Sequence, residues 1–168
     1  MGIRREDMQI RMDNKIMTKN EFKSVLELIH SKAIDNLRLY KYLAPVGFVV
    51  IGNDIQIMLL KFDSDESKHQ SLEALKSHAR KVKAKGVFVV SEAWMSKQTD
   101  SDNIIQPRND PNKINVMVIG GVTPQMEGML LQEFNVDNGK VSFGEAEITI
   151  GCENTSVNLL AGIFETTH

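Results

Sequence analysis

One cysteine, four prolines and one tryptophan stand among 168 residues. No apolar run approaches the length of a membrane span. The single cysteine, Cys152, excludes an internal disulfide and any zinc site built on several cysteines. The chain therefore carries no mark of an oxidising compartment. An excess of one charge is missing too. Twenty basic against 22 acidic side chains leave a net charge of −2, which argues against a protein that holds nucleic acid by bulk electrostatics. No apolar segment follows Arg4 and Arg5, so the start does not read as a secretory signal. Glu6 stands where N-myristoylation needs Ser or Thr. The resulting expectation is a cytoplasmic protein with no membrane partner.

What is present is ordinary globular composition. Hydrophobic residues make up 42% and charged ones 25%, enough at this length for one sizeable core, and one domain fits better than two. Residues 1–17 mix four cations with Met8, Ile10, Met12, Ile16 and Met17 in no clear period. They read as an N-terminal arm, mobile or packed on a partner subunit. Residues 18–168 read as a single α+β domain. Thr18 and Glu21 have capping-box spacing, and Phe22, Val25, Leu26, Ile29, Ala33, Ile34 and Leu37 follow at helical intervals. Pro45 limits that helix. Residues 46–51 and 55–62 are two apolar, β-branched runs joined by Gly52-Asn53-Asp54, a hairpin signal. Apolar side chains on both faces predict burial on both faces, or at least central positions in the sheet. An acidic start at Asp63-Ser64-Asp65-Glu66 and a stripe of Leu72, Leu75, Ala79 and Val82 predict a second helix, stopped by Gly86.

Four further strands are expected. Residues 87–95 and 114–119 are apolar, the latter closed by Gly120-Gly121. Residues 126–136 and the stretch from Val141 flank Asp137-Asn138-Gly139, a strong hairpin turn. The apolar phase shifts by one residue next to Gly144, which predicts a β-bulge. Residues 157–164 read as a short helix or an edge strand. The fold class is α+β: a single domain with a mixed, mostly antiparallel sheet of about six strands and two main helices packed on it, both on one face.

Candidate chemistry centres on Glu92. Alternation puts it on one strand face with Phe88, Val90 and Trp94. A carboxylate there is either near water at the strand end or buried and paired, and buried carboxylates often act as acids or bases. Arg108 and Asp110 lie between Pro107 and Pro111, which stiffen their loop. Arg108 reaches Glu92 if that loop folds back. The plainer alternatives are a structural partner for Glu92 and a capped turn at Asp110. Trp94 is either a stacking platform for a ligand or core. His30, His69, His78 and His168 form no metal signature. The basic run 80–85 is either a phosphate contact or a solvated helix end. Gly120-Gly121 resembles a phosphate loop only in part, since no Gly-Lys-Ser/Thr follows.

The block 89–118 contains a Val-rich strand ending Ser91-Glu92-Ala93-Trp94, a polar loop with Pro107 and Asp110-Pro111, and a second apolar strand. It resembles a pattern found in small uncharacterised bacterial, archaeal and phage proteins without a settled activity. Asn112 and Lys113 stand where that pattern has Arg. The resemblance implies one recurring structural unit and carries no function with it.

Two functional readings follow. The first is a non-enzymatic binding or assembly protein forming a homo-oligomer, since no catalytic signature is visible and nine methionines suit adaptable surfaces. It needs no cofactor, and a small-molecule ligand stays unassigned. The second is a metal-dependent hydrolase or nuclease-like enzyme. It would use Glu92 and Asp110, with Mg²⁺ or Mn²⁺ and with Arg108 stabilising negative charge. Nucleic acid ranks last as a partner on net charge.

Overall fold

The computed structural model describes residues 16–95 and 114–151. Most of the expected arm, the loop 96–113 and the tail 157–164 fall outside them. Helix α1 spans Lys19–Tyr40. Its start is the expected capping box. The Glu21 N–H donates to the Thr18 hydroxyl at 3.1 Å, and the Thr18 N–H donates to the Glu21 carboxylate at 3.3 Å. Of the predicted stripe, Phe22, Val25, Leu26, Ile29, Ala33 and Leu37 are buried and Ile34 is half-buried. Lys41 ends the helix in the left-handed region at φ 66°, where its N–H donates to the Leu37 carbonyl.

Six strands follow among the described residues: β1 (Val46–Ile51), β2 (Asp54–Leu59), β3 (Gly86–Met95), β4 (Ile114–Val122), β5 (Glu127–Asp137) and β6 (Lys140–Gly151). Helix α2 (Asp65–Lys81) joins β2 to β3. The sheet order is β2-β1-β3-β4-β5-β6, and every neighbouring pair is antiparallel. The parallel pairing that a mixed sheet needs is not seen among the described strands, not even between β2 and β3, which flank the helical crossover. These run parallel to each other but are separated by β1.

The two helices cover opposite faces, not one. Helix α1 packs with Val50, Phe88, Val90, Met117, Ile119, Leu130 and Phe134. Helix α2 brings Leu72, Leu75 and Ala79 to Val49, Val87, Val89 and Val122. Neighbouring residues of one strand, such as Val49 and Val50, therefore point into different cores, as alternation requires. A sheet that is apolar on both faces needs a cover on each, and two helices on one side would have left Val87 and Val89 in water.

Three boundaries differ from expectation. Among the described residues strand β2 is an outer edge, with Ile57 65% and Leu59 83% exposed, while only β1 has the central position foreseen for both strands of the hairpin. Helix α2 stops before Gly86. Lys83 takes the left-handed turn at φ 56°, and Gly86 instead opens β3 beneath the Met17 side chain. Strand β4 continues through Gly120-Gly121, which pair with Val89 and Phe88 on one side and with Met129 and Gly128 on the other. The predicted bulge is present. Strand β6 gains one residue against β5 between the pairs Gln132–Ala146 and Phe134–Phe143, so Glu133 faces Gly144 and Glu145.

The entry to α2 has its own cap. The Ser64 hydroxyl accepts from the Ser67 N–H at 3.1 Å, and the Ser67 hydroxyl donates to the Asp63 carboxylate at 2.5 Å. That hydroxyl, with a smaller contribution from Lys61, holds the Asp63 carboxyl below its ordinary value against a small desolvation effect. A lowered carboxylate stabilises the fold above its unfolded pKa, and the effect is lost as pH falls through the folded pKa. Asp63→Asn should therefore lower stability at neutral pH by a small amount. The gap to wild type should close as pH falls through the lowered folded pKa, below the usual Asp value of about 3.9. Urea denaturation at two pH values checks this.

Candidate functional site

The end of β3 carries the residues singled out above. Glu92 pairs in register with Met117 of β4, and Trp94 with Asn115. Alternation from Phe88 and Val90 places both on the α1 face. Glu92 is half-buried and Trp94 is 45% exposed. Neither lacks a partner. Arg108 and Asp110, the other members of the hydrolase constellation, lie outside the described residues. Among the described residues no group of three His, Cys, Asp or Glu side chains is arranged to hold a metal ion.

A polar bridge that the sequence reading missed lies two strands from Glu92. The cross-strand row runs Glu92, Met117, Gln132, Ala146, so Gln132 sits about 10 Å from Glu92 at the usual strand spacing. Met117 is fully buried between them. The Gln132 amide nitrogen donates to the Gly144 carbonyl at 2.8 Å, inside the bulge. That bond turns the amide oxygen toward α1, where it lies 2.6 Å from His30 Nε2. An amide oxygen only accepts, so His30 donates to it through Nε2. The chain His30–Gln132–Gly144 ties helix α1 to the irregular part of the edge strand. The sequence held two signals for it: a Gln within an apolar strand, and a His one position from Ile29 on the buried side of α1.

Gln132 is 7% exposed while Gly144 is exposed and His30 half-buried, so replacing Gln132 by Leu removes two hydrogen bonds whose other partners turn to water. Such a change should destabilise by about 1–3 kcal/mol. His30→Leu in the same chain should recover part of that loss. The check is a urea double-mutant cycle, and strict additivity would show the two residues to be independent.

Gly120-Gly121 lie inside a strand and open no phosphate loop. The basic run 80–85 is not one solvated patch. Helix α2 ends within it, Lys85 is 6% exposed, and the Lys85 N–H donates to the Val50 carbonyl at 2.9 Å. His78 Nε2 pairs with the Gln56 side-chain oxygen at 2.7 Å, joining α2 to the edge strand β2. Among the described residues no helix is long and apolar enough to cross a membrane.

Fold and site together define an α+β protein: an open, six-stranded antiparallel sheet with a helix on each face and polar ties between helix and strand. The chain belongs to the family described as bacteriophage lambda protein ea47, whose model matches residues 3–166. The family match takes in the whole block 89–118 and supports the phage side of its resemblance. No curated protein matches the chain, and no solved structure does.

Proposed function

We propose that this protein is a non-enzymatic binding or assembly protein that works as a homo-oligomer. The observation that carries the reading is a set of large apolar side chains left in water at one end of the sheet. Antiparallel pairing puts the start of β1 and the ends of β2 and β3 at that end, since Val46 is paired with both Leu59 and Val90. Leu59, Trp94 and Met95 are exposed there, and Leu39, Tyr40 and Tyr42 lead into it from α1. Scattered apolar residues are normal on surfaces, but a group of six around one sheet end suits an interaction site. Tyr and Trp add large contact area at small entropic loss.

Light scattering of the full chain after gel filtration tests the reading. The expected result at tens of micromolar is a mass at least twice the 18.9 kDa of one chain. A clean monomer across that range would overturn the oligomer.

A further inference from the structure

We infer that the outer edge of β2 is the surface through which two copies join, antiparallel and in one register centred on Ile57. The inference rests on the assembly reading above and specifies its surface.

The two edges of the sheet are built differently. An open edge offers unpaired N–H and C=O groups to any passing strand, and proteins commonly blunt it with charges, bulges or proline. Strand β6 has such devices: a bulge at Gly144-Glu145, and Lys140, Glu145 and Glu147 exposed along its length. Strand β2 has none over residues 55–60. That stretch reads Ile-Gln-Ile-Met-Leu-Leu, without a charge or a proline, and its register against β1 is unbroken over six pairs. Ile57 and Leu59 stand exposed on it.

Backbone directions set the register. The Leu60 N–H donates to the Pro45 carbonyl at 3.1 Å, so residue 60 faces β1. In an antiparallel ladder this alternates. Met58, Gln56 and Asp54 also face β1, while Ile55, Ile57 and Leu59 turn their N–H and C=O groups outward. The Val50 carbonyl, opposite Ile55, agrees: it turns away from β2 to accept from the Lys85 N–H. Lys61 would be the next outward residue, and it is already capped. The Ser71 hydroxyl accepts from the Lys61 N–H at 2.9 Å and donates to the Lys61 carbonyl at 3.2 Å. The open edge therefore consists of three residues, with Ile57 in the middle.

A second copy fits that edge through a two-fold axis at Ile57. Ile57 then faces Ile57 of the other copy, and Ile55 faces Leu59 in both directions. All three outward N–H groups and all three outward carbonyls of each strand become paired. A shift by two residues leaves one of these residues without an open partner, because it meets either capped Lys61 or the turn at Asn53. The same axis brings the Lys61 end of each strand to the Asp54 end of the other, so opposite charges meet at both ends. It also puts the exposed Ile57 and Leu59 side chains of both copies side by side on the α1 face. An isologous contact of this kind closes as a dimer.

The test uses the full chain with Ile57→Lys, Leu59→Lys and, as a control on the opposite edge, Ile148→Lys. Sedimentation velocity at tens of micromolar should show dimers for wild type and Ile148→Lys. It should show at least a tenfold weaker dimer for Ile57→Lys and Leu59→Lys, with the circular dichroism of wild type. The register is read separately from Ile57→Cys in a Cys152→Ser background. Facing residues in such a ladder lie within disulfide reach, and mild oxidation of folded protein should give a covalent dimer. Monomeric wild type would overturn both this inference and the assembly reading. Dimers that survive both lysine substitutions, or fail to cross-link through residue 57, would overturn the β2 contact and leave assembly standing.

Discussion

Replacing Phe22 by alanine should destabilise the protein by about 3–5 kcal/mol, the largest loss expected from any single truncation here. The Phe22 ring is fully buried and meets Phe88 with centroids 4.9 Å apart at a tilt of 46°. It lies in a trough made by two facing glycines, Gly121 of β4 and Gly128 of β5. A Cβ on Gly128 would stand 2.6 Å from the ring, and one on Gly121 2.9 Å from it. Truncation removes an aromatic pair worth about 0.5–1.5 kcal/mol beyond its area. It also leaves a cavity bounded by strand backbone, which cannot collapse to fill it. Urea unfolding followed by circular dichroism measures the effect. A loss under about 1 kcal/mol, small for a buried Phe, would mean that α1 does not seat in the trough.

Gly121→Ala attacks the same place from the sheet side. The added Cβ would lie 2.4 Å from two atoms of the Phe88 ring, closer than real contacts come. Either the ring leaves its rotamer or β4 moves away from α1. Overpacking of this kind costs about 1–3 kcal/mol and sometimes more, and the upper end is expected because two rings are in the way. Adding Phe88→Leu should return part of the loss, as neighbours that share one space are non-additive. Gly144→Ala is the control. Its Cβ would meet Glu133 at an ordinary 3.5 Å, so the change should stay within about 0.5 kcal/mol.

These glycines mark how far the sequence could be read. Periodicity located α1, its cap, all six strands and the bulge at Gly144, because each follows from the spacing of a few neighbouring residues. Gly121 looked like the end of a strand, since the ring that requires a glycine there, Phe22, lies about a hundred residues away. The exposed edge at β2 looked like a central strand for a similar reason. Ile, Met and Leu suit a buried strand and a sticky edge equally well, and only the sheet order separates the two. The side chosen by α2 depends on how the crossover passes β1, which no local pattern records. The His30–Gln132–Gly144 chain joins three distant segments, so its members were visible and their meeting was not. Of the site residues named from the sequence, Glu92 and Trp94 fall on one face at the end of β3 as alternation required.

The edge at β2 is where assembly is assigned a surface, and amide hydrogen exchange as a function of protein concentration tests that most directly. Leu60 bonds inward to β1, and Met58 and Gln56 face the same way. Their amides should be protected at every concentration. Those of Ile55, Ile57 and Leu59 face outward and should be protected only where the protein is dimeric, becoming fast on dilution. Rapid exchange of the Ile57 amide in a solution shown to be dimeric would contradict the account.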